Sequence, residues 1–141
     1  MKVTYWIHAN HALTYSVFEG KITLTGFQDF RTTLAQDARH NPVFGHLLDL
    51  RLADLSLFGT DQIRSIAQSR IHDATSRRAI VVARALDFGI ARMADAWFHQ
   101  ARPHAKTFRD LNAAVEWLEV EPSTDLKTGP PTTIEIAPEE D

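Results

Sequence analysis

The run Val43–Leu50 constrains the fold more than any other part of the chain. It reads Val-Phe-Gly-His-Leu-Leu-Asp-Leu, a near-continuous apolar stretch of the kind found in strands covered on both faces. Such a strand sits inside an α/β sheet with helices above and below it. The run then passes through Asp49-Leu-Arg51 into Leu52-Ala-Asp-Leu-Ser-Leu-Phe-Gly-Thr60, a polar-punctuated turn leading to the next helix. In open α/β sheets, ligands and partners gather outside the carboxyl ends of the strands. Asp49, placed at the strand end, and Arg51, Asp54, Ser56 and Thr60 are therefore the first candidates for a binding site.

The flanking sequence supplies the rest of the sheet. Lys2–His8 alternates, with Val3, Tyr5 and Ile7 on one face and Thr4, Trp6 and His8 on the other. After Ala9-Asn10 the alternation resumes from Ala12 to Phe18, which predicts a β-hairpin closed by Gly20. Thr23 and Thr25 are candidate N-caps, Gln28 completing a capping box with Thr25. Phe27, Phe30, Leu34 and Ala38 follow at helical spacing, and Asn41-Pro42 stops the helix. A second helix is expected after Thr60-Asp61 through Ile63, Ile66, Ala67, Arg70 and Ile71. Ala79–Ala83 is a short buried strand, and Asp87 caps a helix carrying Ile90, Met93, Ala94, Trp97 and Ala101. Ala105–Phe108 is the last strand of the body, followed by a helix capped by Asp110. Strands alternating with helices of this length pair in parallel through right-handed crossovers. The expected architecture is an α/β domain over residues 1–121: an N-terminal hairpin, then βα units forming a mixed, mainly parallel sheet with about four helices.

Beyond Glu121 the composition changes. Residues 122–141 hold Pro122, Pro130, Pro131 and Pro138, and from Ser123 onward five acids face Lys127 alone, a net −4. The whole chain carries −3, so the body is nearly neutral at +1. This reads as an extended tail. Thr132–Ile136 is its β-prone piece, expected to add to a sheet edge or to a neighbouring subunit, most naturally in a homodimer.

Composition narrows the function classes. A chain of 141 residues without cysteine has no disulfide, thiolate metal site or cysteine nucleophile, and suits a reducing compartment. No signal peptide and no membrane-spanning run is read, so a soluble, cytoplasmic protein is expected. A neutral body lacks the basic stripe that nucleic acid demands. Arg84 and Asp87 follow the next strand, with Arg92 one turn on, an arrangement able to cradle an anion. His8 and His11 flank the hairpin turn, and His99 and His104 bracket Pro103, without carboxylates at metal-ligand spacing. No metal and no cofactor is expected. Trp97 and Phe98, adjacent on a helix, and Trp6 and Phe18, outward in one reading of the hairpin, are candidates for an exposed apolar patch. Elbow, P-loop and dinucleotide fingerprints are missing. His46 and Asp49, three apart on a strand, point to opposite faces, so no triad with Ser56 forms.

In order along the chain, Gly20-Lys-Ile-Thr23, His46-Leu-Leu-Asp-Leu-Arg51, Ala79-Ile-Val-Val-Ala83, Phe88-Gly-Ile-Ala-Arg-Met93 and the run Phe108–Leu118 resemble the SpoIIAA-like group. That group includes STAS domains of anti-sigma-factor antagonists and their uncharacterised bacterial relatives. The resemblance implies a layered α/β fold used for protein contacts or small-ligand binding. In anti-sigma-factor antagonists the phosphorylated serine stands in an Asp-Ser-Ser-Gly phrase. The corresponding stretch here, Ser56-Leu-Phe-Gly-Thr60, departs from it, so Ser56 and Thr60 are candidate phosphoacceptors by position only, without the matching context. The expected function is a non-enzymatic regulatory or protein-interaction module. A small-ligand or lipid carrier, with a cavity between the Ile90–Trp97 face and the sheet, is the alternative, and an unrecognised hydrolase the third.

Overall fold

The computed structural model describes residues 1–59, 61, 76–84, 87, 89, 90, 92 and 105–137. Six strands form one sheet: β1 Lys2–His8, β2 Leu13–Lys21, β3 Gly45–Asp54, β4 Arg78–Val81, β5 Ala105–Phe108 and β6 Thr132–Glu135. Their order is β5-β4-β3-β2-β1-β6. β2, β3, β4 and β5 run parallel, whereas β1 is antiparallel to both β2 and β6. Two α-helices lie among the described residues, α1 Leu24–Gln36 and α2 Leu111–Trp117. The helices expected over 61–71 and 87–101 fall largely outside those residues, as do Thr60, Trp97, Phe98, His99 and His104.

The hairpin forms because Trp6 faces Tyr15 in register and their rings stack 5.6 Å apart. Ala12, with φ +48°, takes the left-handed turn position between the strands. One face of the sheet packs Val3, Tyr5, Phe18, Leu48, Leu50 and Ile80 against Phe27, Phe30 and Leu34 of α1. The other packs Trp6, Leu13, Tyr15, Val17, Leu47 and Val81 against Ala114 and Val115 of α2. Both faces of the hairpin are thus covered. Trp6 and Phe18 are buried and belong to the core, not to an exposed patch: neither of the hairpin's two apolar stripes is an outer one.

Helix α1 starts at Thr23, whose Oγ1 accepts the Gly26 N–H at 3.0 Å. Thr25 lies inside the first turn, so the capping box with Gln28 does not form. The helix ends at Gln36, earlier than Asn41-Pro42 suggests, because Asp37 is drawn away. Its carboxylate accepts Tyr5 Oη–H at 2.7 Å and two Arg39 nitrogens. Arg39 holds the Asp37 carboxyl well below its ordinary range.

Helix α2 ends where Glu119 adopts φ +60°. Val120 N–H bonds Val115 O and Glu119 N–H bonds Glu116 O, the pattern that turns a chain back over its own helix. Arg77 closes this end by donating to Trp117 O at 2.6 Å. The tail then crosses the α2 face, where His8 Nε2–H donates to Leu126 O at 2.6 Å and Leu126 joins the apolar cluster. Arg39 donates to Pro130 O and Thr132 Oγ1, after which β6 pairs with the β1 edge within the same chain. The last rung is the reciprocal pair Ile136 N–H to Met1 O and Met1 ammonium to Ile136 O. This end rests on the start of α1, where a Cβ on Gly26 would run into Met1 Sδ and approach Ile136 to 3.4 Å.

Ordering the tail costs conformational entropy that offsets most of what its contacts contribute, so the net gain is modest. Truncation after Pro122 is expected to lower stability by about 1–2 kcal/mol, from the partial burial of Leu126 and Ile134. Thermal melts of the two chains check this. Identical melting temperatures would mean that the tail contributes nothing to the fold.

A second expectation concerns His46, fully buried on the α1 face and 2.8 Å from Ser16 Oγ. Burial, and then the charges of Arg78, His40 and Arg31, hold its imidazole well below its ordinary value. In the unfolded chain it titrates near 6.5. The unfolded state therefore takes up the proton first, and stability is lost as pH falls below about 6.5, by at most roughly 1.4 kcal/mol per pH unit. Urea unfolding at pH 7.5 and 5.5 measures the slope. It should flatten in His46→Asn, and an unchanged slope would assign the effect to other groups.

Candidate functional site

Strand β3 does not end at Asp49. It continues for five residues to Asp54, which moves the expected strand-end carboxylate into the middle of a buried strand. Along β2–β3, Val17 pairs with Asp49 and Glu19 with Leu52. Two steps on β2 thus match three on β3, placing one extra residue, a β-bulge, between Asp49 and Leu52. Bulges re-aim side chains. Here Leu50 and Ala53 stay in the α1-side core, while Arg51 and Leu52 both turn to the other face.

Arg51, two residues on and so over the same face, folds back on the Asp49 carboxylate. Asp49 accepts Arg51 Nε at 2.9 Å, Nη2 at 2.7 Å and the Arg51 backbone N–H at 3.2 Å. Tyr15 Oη–H from the neighbouring strand adds a bond of 2.7 Å. The Asp49 side chain is 4 % exposed and that of Arg51 42 %. Burial pushes the Asp49 carboxyl up, but the bonds from Arg51 and Tyr15 outweigh it and leave the group below its ordinary value. Burial and the Asp49 charge push the Tyr15 phenol far above its own. Tyr15 thus stays protonated and Asp49 ionised. With its oxygens answered by these donors, the carboxylate is no ready proton acceptor.

This network floors an open cleft of about 540 Å³. Val17, Arg51 and Leu52 form the sheet side, Leu111 stands at the start of α2, and Thr124–Lys127 of the tail make the opposite wall. The sequence pointed to Asp49 and Arg51 but missed Tyr15, Leu52 and the tail residues. Tyr15 shares a stripe with Leu13 and Val17, and only the β2–β3 register brings that stripe against Asp49.

The remaining candidates lie apart from this cleft. Asp54 accepts the Ser56 N–H at 2.9 Å, and that bond lowers its carboxyl. Ser56 is exposed in this turn. Arg84 grips the buried Asp87 through Nε and Nη2, each at 2.9 Å. Asp54 contributes to the field at Arg84, so Asp54, Ser56, Arg84 and Asp87 gather at the C-terminal ends of β3 and β4. Arg92 is exposed, and Thr60 lies outside the described residues. The His8 and His11 rings are 6.4 Å apart. Among the described residues no group of three His, Asp or Glu is placed to hold a metal, and no helix is long and apolar enough to cross a membrane. Ile90 packs on the α1-side core; the rest of the cavity wall expected with Trp97 is outside the described residues.

No protein-family model matches the chain, and no curated protein matches it by sequence. A solved structure does: an uncharacterized protein of the DUF3478 family from Shewanella loihica PV-4, described as having a SpoIIAA-like fold. The two are 21 % identical, with a TM-score of 0.53 over 82 % of this chain and 93 % of that one. The chain has a SpoIIAA-like fold. The order of phrases noted in the sequence is therefore matched by the architecture, and the likeness reaches the fold and stops there.

The network makes a testable ordering. Removing one partner of a buried ion pair costs about 3–5 kcal/mol; Arg51 can turn to water, which lowers the figure for Asp49→Ala to roughly 2–3 kcal/mol. Tyr15→Phe removes one hydrogen bond to a charged group, about 1.5 kcal/mol. Denaturant titration of both variants checks the order, and a larger loss in Tyr15→Phe would show that the carboxylate is not its anchor.

Proposed function

We propose that this SpoIIAA-like domain is a non-enzymatic protein-interaction module whose contact surface is the end of β3 and the turn that follows. The observation that carries this reading is the exposure of Leu52 and Leu57, at 64 % and 49 %. These large apolar side chains lie within six residues of one another, interleaved with Asp54 and Ser56. Exposed apolar residues rimmed by polar ones are what protein interfaces present. Arg84 at the neighbouring strand end adds a charged rim, and the exposed Ser56 hydroxyl offers a place for phosphate to alter it. Recognition is favoured over chemistry because the buried Asp49 carboxylate and Tyr15 phenol nearby are committed to Arg51 and to each other.

A photo-crosslinking residue at Leu57 is expected to give one dominant adduct in cells, and the same residue at the exposed Glu135 none. Adding Leu52→Asp, a substitution at an exposed position, should reduce the adduct at least fivefold. Equal labelling from both positions, or no effect of Leu52→Asp, would remove this surface from consideration.

A further inference from the structure

The cleft above Asp49 shares Leu52 with the strand-end surface, but its remaining parts point to a small ligand. Arg51 is fixed in direction, since Nε and Nη2 are both held by Asp49. Its Nη1 donates to neither Asp49 oxygen, and the guanidinium also meets the Tyr15 phenol. A guanidinium braced on one edge and open on the other is set to receive a planar anion. On the facing wall stands Lys127, held by its backbone N–H to Asp125 Oδ1 at 3.0 Å. Asp125 belongs to the rim, and that bond lowers its carboxyl. Between the two cations the surface is apolar, made by Val17, Leu111 and Leu126. Small-molecule sites have this composition, a mostly apolar concavity with a few convergent polar groups, and this volume.

We infer that this cleft binds a small organic carboxylate carried on a short apolar stem. The carboxylate lies between Arg51 Nη1 and the Lys127 ammonium, and the stem lies over Val17, Leu111 and Leu126. The proposal goes beyond the interaction surface at Leu52–Leu57; the two share Leu52, but the carboxylate site at Arg51 and Lys127 does not need a protein partner. A phosphate dianion fits less well, because the buried Asp49 and the rim Asp125 already offset much of the positive charge. A fully apolar ligand leaves the open edge of Arg51 without a partner, which is costly once water is displaced.

Calorimetric titration with hexanoate and with hexanamide tests the inference on the full-length chain, since the tail forms one wall. Hexanoate should bind at least tenfold more tightly than the neutral amide. Chemical-shift changes in methyl-labelled protein should centre on Val17, Leu111 and Leu126. Lys127→Met, at an exposed position that leaves the fold intact, should weaken hexanoate binding at least threefold. Arg51→Met should abolish it; Leu111→Ser is the second variant if that one fails to fold, and should weaken binding at least threefold. Equal affinity for acid and amide, shifts centred elsewhere, no binding, or indifference to Lys127→Met would each overturn the site. Loss of the Leu57 adduct with hexanoate binding retained would count against the interaction surface alone.

Discussion

A carboxylate in the middle of a largely buried strand has to be answered within a few ångströms, because it is almost cut off from water. Asp49 is answered from its own strand by Arg51 and across the sheet by Tyr15. Both answers have consequences beyond local satisfaction. The Arg51 bonds require the side chain two residues on to stay over the same face, and the extra residue between Asp49 and Leu52 also brings Leu52 there. The Tyr15 bond pins β2 to β3 on the side where Trp6 stacks, which links the hairpin to the parallel part of the sheet. One buried charge thus connects the hairpin, the bulge and the cleft.

The elements were legible where apolar periodicity was strong. The hairpin, the strand Ala105–Phe108, the helix capped by Asp110 and the SpoIIAA-like order of units all follow from pattern. What pattern did not reveal was where a regular element is interrupted by a side chain with business elsewhere. Helix α1 stops at Gln36 because Asp37 has partners in Tyr5, thirty-two residues away, and Arg39, while the proline that was read as the stop comes later. Strand β3 passes through Asp49 because Arg51 neutralises it in place. Strict alternation would put Leu52 in the core beside Leu50. The bulge exchanges it for Ala53, and no spacing rule carries that information. Trp6 and Phe18 were ambiguous for a related reason: alternation identifies two faces but does not say that both are covered.

The chemistry of the site follows from the same network. A general base needs a lone pair that is free and a pKa near the working pH. The Asp49 carboxylate is held ionised by donors that occupy it, and the Tyr15 phenol is driven far from titration. Mutual satisfaction of this kind makes a rigid, directional surface and a poor proton shuttle. Rigidity is an asset for recognition, since a pre-oriented guanidinium loses little side-chain entropy when it meets an anion.

The tail brings the two ends of this logic together. The segment that walls the cleft at Thr124–Lys127 is continuous with the strand that closes the β1 edge, and Arg39 grips the connection at Pro130 and Thr132. Anything that binds the cleft through Lys127 and Leu126 therefore binds a tail that is already docked. By linkage, such a ligand stabilises the docked arrangement by as much as docking improves its affinity. The tail's own contacts are modest, with a four-residue strand half open to water, Leu126 and Ile134 partly buried and side-chain bonds from His8 and Arg39. Contacts this few, set against the entropy of ordering, make for a shallow docking equilibrium. A shallow equilibrium is the condition under which a weak ligand has a measurable effect on order. The acidic composition of the tail, unfavourable for independent folding, is in this sense what leaves the cleft wall responsive to an occupant.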